Sequence, residues 1–202
     1  MDAARAAFFD AIAPCWDGWH DLPRLAAQLA AGLAELGVGR EEAVLDLGCG
    51  TGNLTAALLA RLSPAGRVVA VDFSPRMVAL ARAKLGDPRV RWRVAAAEAL
   101  PLPEACVDRV VALAVWPHLG DREGAATELM RVLRPGGLLH IWHLSAREEV
   151  NRIHAAADGP IRGDLLPPAG ETAALLARAG FAVQRVEDGE RYLVTVRARE
   201  GR

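Results

Sequence analysis

The chain has little of what marks several large classes of protein. Its three cysteines, Cys15, Cys49 and Cys106, are odd in number and scattered. They form no metal-ligand spacing and no disulfide framework, which leads us to expect a reduced, cytoplasmic setting and no bound metal. An excess of one charge is also missing: Lys and Arg number 24, Asp and Glu 25, and the formal net charge is −1. Without a basic surplus nothing tracks a phosphate backbone, so no nucleic-acid partner is expected. No apolar run approaches the ~20 residues of a membrane span. The first residues carry Asp2, Arg5 and Asp10 without a long apolar core, which argues against a secretory signal. Internal repeats, low-complexity tracts and a composition break marking a second domain are absent as well.

What is present is apolar material, 52% of 202 residues, enough for one α/β domain with a full core over residues 1–202. Within it, residues 1–40 read as N-terminal helices with a lid, and 41–202 as the core. The stretch that organises the rest is Val44-Leu45-Asp46-Leu47-Gly48-Cys49-Gly50-Thr51-Gly52-Asn53-Leu54-Thr55. An apolar strand runs into glycines at alternate positions, and a helical apolar pattern follows in Leu54, Ala57, Leu58 and Leu62. Glycine allows positive φ and close approach of a ligand, and the turn's amides and the helix start are expected to point at it. The spacing Gly-x-Gly-x-Gly differs from the Gly-x-Gly-x-x-Gly of dinucleotide folds. Asp46 would repel a pyrophosphate and hold an ammonium group.

A second strand, Arg67–Asp72, ends in an acid about twenty residues beyond Gly52, where a βαβ unit places a carboxylate beside the first strand tip. Ser74 with Pro75 caps the following helix, 75–85, which leaves Asp72 for a ligand, with Phe73 and Met77 beside it. Third and fourth strands are expected at 90–94 and 106–113, a helix at 121–133, and a fifth strand at 138–142. Ahead of the first strand, helices are expected at 4–12, closed by Pro14, and at 22–36. Between them Trp16 and Trp19 stand in a short loop; two indoles are costly to leave in water, so they clamp the core or cover the cleft.

Asp46 through Gly52 resembles motif I of the class I S-adenosylmethionine (SAM)-dependent methyltransferases, close to E/DxGxGxG. Phe9-Asp10 through Asp17 is similar to the "FDxIAxxYD" opening of the quinone-biosynthesis type, with Trp16 at the Tyr position. Ala95–Pro103 resembles "GDAEALPFPD", and Leu133–Gly137 the "LRPGG" turn. The resemblance implies an α/β, three-layer Rossmann-like sandwich. Its seven-stranded, mostly parallel sheet has order 3-2-1-4-5-7-6 with the last strand antiparallel. It implies SAM as cofactor and S-adenosylhomocysteine (SAH) as product. Asp46, Gly48, Cys49, Gly50, Gly52 and Asn53 would hold the methionine half, and Asp72 the ribose. Phe73, Ser74, Met77, Ala97 and Glu98 would border ribose and adenine, and Ala112 would lie near the methionine end. Ala96 departs from the family's Asp, which binds the adenine amino group. Its loss costs on the order of 1.5–3 kcal/mol and leaves adenine to Ala97 and Glu98.

The acceptor side is less legible. Ser145 with Glu148 suits a helix start, and a helix from there aligns His143, Arg147, Asn151 and, less closely, His154. With Trp16, His20 and Trp116 these are candidate substrate contacts; Arg147 suits an anion. His118 and His143 are candidate general bases. A helix to Ala179 and a hairpin of strands, 181–186 and 191–196 around Asp188-Gly189, complete the chain. The expected activity is methyl transfer to a small molecule. A non-catalytic SAM- or SAH-binding module is the alternative, and a dehydrogenase a weaker third. The oligomeric state, monomer or homodimer, is open.

Overall fold

The computed structural model describes residues 3–199, so Asp2 and the outermost ends of the 1–202 unit lie outside the described residues. Seven strands form one sheet: β1 (Ala43–Leu47), β2 (Arg67–Asp72), β3 (Val90–Val94), β4 (Val107–Leu113), β5 (Leu133–His143), β6 (Ala182–Asp188) and β7 (Tyr192–Arg197). Their order is β3-β2-β1-β4-β5-β7-β6. β7 runs antiparallel to both β5 and β6, and the other pairs are parallel. The expected fold class and strand order therefore hold.

Side chains alternate between two cores, as the period-2 geometry of a strand demands. Leu45, Leu47, Val110, Ala112, Leu139, Ile141, Tyr192, Val194 and Val196 face one side, with helices α5 (Arg122–Val132) and α7 (Ala169–Arg178). Val44, Val68, Ala70, Val111, Trp142 and Leu193 face the other. There they meet α2 (Leu22–Glu35), α3 (Asn53–Arg61) and α4 (Pro75–Lys84). Trp142 lies so close on α2 that a Cβ at Gly32 would stand 2.3 Å from its ring. That explains a glycine inside a helix it destabilises by about 1 kcal/mol.

Local signals account for most boundaries. Asp21 caps α2 through the Arg24 amide and Ser74 caps α4 through the Met77 amide, each with proline in the first turn. The other two helices are α1 (Ala3–Ile12) and α6 (Arg147–Ala156). Three expectations need correction. Residues Ala13–Trp19 form a 3₁₀ helix rather than a loop, because Pro14 fits its first turn. Ser145 caps nothing: β5 runs to His143, the chain bends, and α6 begins at Arg147 behind Ala146, with Glu148 and Glu149 complementing its dipole. Leu133–Gly137 is the irregular start of β5, where the register against β4 shifts. Among the described residues, no helix is long and apolar enough to cross a membrane.

Candidate active site

Strand order reverses between β1 and β4, and a crevice opens there at the carboxyl ends of the parallel strands, where open α/β sheets bind ligands. One wall is the glycine turn. Gly48, Gly50 and Gly52 all have positive φ, at 73°, 50° and 86°. A Cβ at Gly48 would stand 2.5 Å from Val115, whereas one at Gly50 would meet only the Trp16 indole at 3.9 Å. Gly48 thus serves packing and Gly50 leaves room in the crevice. The turn's amides do not point at a ligand as expected. Those of Gly48 and Cys49 donate to the Val71 carbonyl at 2.8 and 2.9 Å, that of Gly50 to Asp72 at 2.8 Å, and that of Gly52 to the Cys49 carbonyl. With these donors spent, the turn is a poor phosphate cradle.

Asp72 stands at the β2 tip, 7% exposed, on the wall shared by both parts of the crevice. It accepts from the Gly50 and Ser74 amides at 2.8 and 2.9 Å, so it braces the turn and the start of α4 while facing the cavity. Burial pushes its carboxyl above the usual range, against the pull of those amides. Asp46 is different. It is fully buried behind the turn, where the Thr55 hydroxyl donates to Oδ2 at 2.5 Å and Oδ1 has no partner. Burial raises its pKa to about 7; the Thr55 hydrogen bond opposes this and the Asp72 charge adds to it.

The crevice has two parts. The inner one is lined by Asp72, Phe73, Ala96, Ala97, Glu98 and Leu119, a flat apolar slot with carboxylates at its edges. The outer one contains Trp16, Trp19, His20, Cys49, Asn53 and Met77, with His118, His143 and His154 on the far side. Gly48, Asp72, Phe73, Val115 and His118 line both. The N-terminal segment covers them. Phe9 of α1 packs edge-on to Phe73 at 5.4 Å and to His118 at 5.2 Å. Asp10 accepts from the Ser74 hydroxyl and from the Arg76 amide. Asp17 accepts from Thr51, Asn53 and Lys84. Burial works against ionisation of Asp17, but these donors outweigh it and hold its carboxyl below the usual range. Trp16 and Trp19, 5.8 Å apart, close the outer side.

The far wall is assembled from distant segments. His118 ends a short 3₁₀ helix, Trp116–His118, after β4. Its Nδ1 donates to Asp164 at 2.8 Å, which leaves Nε2 as the acceptor. Asp164 is 3% exposed and also accepts from Arg5 of α1. Burial opposes its ionisation, but His118 and Arg5 outweigh it and lower its pKa to about 2. The His154 ring lies 4.8 Å from that of His118, tilted by 46°, and His154 donates through Nδ1 to the Asp164 carbonyl at 2.5 Å. His143 is 3% exposed with Nε2 unpartnered, and burial, with His118 and His154 nearby, drops its pKa to about 3.

The crevice brings together Gly48, Cys49, Gly50, Asn53, Asp72, Phe73, Met77, Ala97, Glu98, Trp16, His20, His118, His143 and His154. Other expected contacts lie elsewhere. Asp46 sits behind the turn, fully buried against Thr55. Gly52 faces Ala81 of α4 and Leu85 just beyond its end. Ser74 is fully buried as the α4 cap, and Ala112 and Trp116 are fully buried in the core. Arg147 pairs with Glu148 and Asp188 at the surface. Asn151 binds the Leu166 backbone in both directions, at 2.7 and 3.1 Å. The expected shared face of 143, 147, 151 and 154 fails because His143 belongs to β5. Residues the sequence did not single out are Arg5, Phe9, Thr51 and Asp164; Asp164 lies in a Gly- and Pro-rich connection with no pattern to mark it.

A family model described as a methyltransferase domain matches residues 45–141. The demethylmenaquinone methyltransferase of Thermus thermophilus is 38% identical over 136 residues, 65% of this chain and 61% of that protein. The trans-aconitate 2-methyltransferase of Azoarcus sp. is 41% identical over 131 residues, 63% of this chain and 50% of that protein. The chain thus spans about half to three fifths of the length of these two relatives. A crystal structure of a SAM-dependent methyltransferase from Aquifex aeolicus superposes with a TM-score of 0.68 at 28% identity, covering 84% of this chain and 88% of that one.

Proposed function

We propose that the chain, whose residues 45–141 match a methyltransferase-domain model, is a SAM-dependent methyltransferase that transfers a methyl group from SAM to a small-molecule acceptor and releases SAH. The observation that carries this reading is the division of one crevice. A glycine turn with its amides turned inward stands on one wall beside Asp72, and the His118–Asp164 pair stands opposite. The same turn argues against a dehydrogenase, whose pyrophosphate needs the amides spent here.

The residues suit SAM. Gly50 leaves space where a side chain would intrude, and the acids near the turn favour a cation over a phosphate. Asp72 would accept the ribose hydroxyls with its remaining lone pairs. Phe73 and Ala97 would flank the adenine, and Glu98 would take its amino group in place of the acid missing at Ala96. When bound, SAM supplies an electrophilic sulfonium methyl, so the protein chiefly places the acceptor in line and excludes water. Phe9 and Trp16 close over that space. His118 Nε2 would take the proton that the acceptor atom loses, and Asp164 would steady the resulting imidazolium. His143, kept neutral by burial, serves better as a hydrogen-bond partner for the acceptor than as its base.

The acceptor class follows from the outer wall. Arg147 is withdrawn to the surface, and Trp16, Trp19, Leu25, Val150 and Ile153 line the cavity beside Asp21 and Arg24, so a largely apolar acceptor fits best. The test is release of SAH from SAM on addition of fractionated small-molecule extracts. SAH above the enzyme blank in at least one pool is expected. SAM binding without SAH in any pool would leave a non-catalytic binding module, and tighter binding of NAD than SAM would revive the dehydrogenase.

A further inference from the structure

Asp164 lies in the 158–168 connection between α6 and α7, where a carboxylate would ordinarily be solvated, yet it is 3% exposed. Oδ2 accepts from His118 Nδ1 at 2.8 Å and from Arg5 Nε at 3.2 Å; Oδ1 accepts from the Arg5 guanidinium as well. Two clamps that do not involve α1 hold the Asp164 end of this segment, while its start packs on α1 through Gly159 and Ile161. Arg122 donates to the Trp116 and Pro117 carbonyls, each at 3.1 Å, and to the Leu165 carbonyl at 2.9 Å, tying the His118 turn to the Asp164 segment. Asn151 grips Leu166 on both backbone groups. The pair His118–Asp164 is therefore built into the core of the molecule, whereas Arg5 arrives with the covering helix.

We propose that Asp164 is a positioning residue that couples closure of α1 over the crevice to the protonation and orientation of His118. This rests on the reading of the crevice as a methyl-transfer site with His118 as base. With α1 away, Asp164 faces His118 alone and favours the imidazolium, which has no lone pair to accept a proton. With α1 closed, Arg5 shares the carboxylate and repels a second cation beside it, while Phe9 covers the ring. A second cation at His118 is then disfavoured, and its Nδ1 stays bonded to Asp164. The base is armed by the same motion that shuts out water. The other titratable or charged groups around the pair are His154 on α6, His143 on β5 and Arg122 on α5, with Asp72 and Glu98 in the crevice that His118 lines. None of them belongs to α1, so the charge that α1 brings to Asp164 is that of Arg5.

Histidine C–H resonances, titrated by NMR in the full chain, test this without turnover. Arg5→Ala is expected to raise the His118 midpoint by about one pH unit and Asp164→Asn to lower it by a similar amount, as removal of a nearby charge does. Asp164→Glu restores most of the wild-type value. In turnover, Asp164→Asn loses at least about tenfold in kcat, as for a lost base orientation, with SAM affinity unchanged. Arg5→Ala moves the acid limb of the kcat profile to higher pH. Midpoints that stay fixed, or that move in the same direction in both variants, overturn the coupling. Should Asp164→Asn fail to fold, an unmoved midpoint in Arg5→Ala is sufficient to overturn it. Midpoints that move as stated in a protein that methylates nothing would keep the coupling and sink only the methyl-transfer reading.

Discussion

The β1–β2 wall of the crevice is made from residues close together in the chain, Gly48 to Met77, joined by one strand–turn–helix unit and the strand beside it. The opposite wall draws His118 from the end of β4, His143 from β5, His154 from α6 and Asp164 from an irregular connection. On the first wall the main braces are local, since Asp72 braces the amide of Gly50 and Ser74 caps the helix that Asp72 precedes, and Asp10 and Asp17 of the N-terminal segment add to them from outside. On the second, each group is held by something far away, such as Arg122 spanning from Pro117 to Leu165. A locally encoded wall can be carried from protein to protein as a motif. A wall assembled across the sheet can change one partner at a time, which suits the side that must recognise an acceptor.

The sharpest way to break this contrast is His118→Ala. If the two walls divide the labour, turnover should fall by about 10²–10⁴, the usual worth of a positioned general base, while SAM affinity stays within about twofold. Affinity and turnover falling together, in titration calorimetry and an SAH-release assay, would mean that the walls are not separable.

Asp46 gives the next largest effect, on stability. Its pKa is raised to about 7 by burial, with the Thr55 bond opposing. A carboxyl raised in the folded state contributes most below its unfolded value near 4 and loses that contribution as pH rises through about 7. The full span is worth about 4 kcal/mol at the outside. Buried His140 and His143, both lowered to about 3 by burial, act in the other direction, losing stability as pH falls below about 6.5. Asp46→Asn isolates the carboxyl: the wild type should lose stability against this variant between pH 5 and 8. Parallel urea-unfolding curves across that range would show that Asp46 is ionised at little cost, and thus closer to a ligand charge than its position behind the turn implies.

How much of this was legible beforehand follows the same division. The Gly48–Gly52 turn and Asp72 were readable because short-range spacing determines where such groups stand, whereas the strand order came with the family resemblance. Asp46 was readable as an acid but not as a buried one, since a strand residue's facing depends on which helix covers it; here Thr55 of α3 does. The 143–154 segment misled because a helical spacing was extended into a strand. His143 ends β5 in register with Tyr192, and that pairing outweighs a capping pattern at Ser145. Asp164 carried no signal: only the folded chain brings it, across more than a hundred and fifty residues, to Arg5.

Asp72→Ala sharpens the near wall. Removing the carboxylate takes away the proposed ribose contact and also the acceptor for the Gly50 and Ser74 amides, so SAM binding should weaken more than tenfold, that is by more than about 1.4 kcal/mol. Asp72→Asn keeps one acceptor oxygen and should fall between. Equal affinity in all three proteins would remove Asp72 from the site.

The smallest effect concerns the strain stored in the far wall. Ala114, which follows β4 on the crevice floor, has φ of 54°, a left-handed conformation that costs a non-glycine residue about 1–2 kcal/mol. Its amide is fixed to the Trp142 carbonyl at 2.9 Å, so β5 imposes the conformation. Ala114→Gly relieves the strain and adds freedom to the unfolded chain, so the net gain in stability should be about 0.5–1 kcal/mol. A Cβ is also lost from the floor, and the turn carrying Trp116–His118 begins one residue later. If the far wall relies on that rigidity, the variant should melt higher and turn over more slowly at unchanged SAM affinity. A variant that gains stability and keeps its full rate would show that His118 is held by Asp164 and Arg122 alone, with no help from the strained floor.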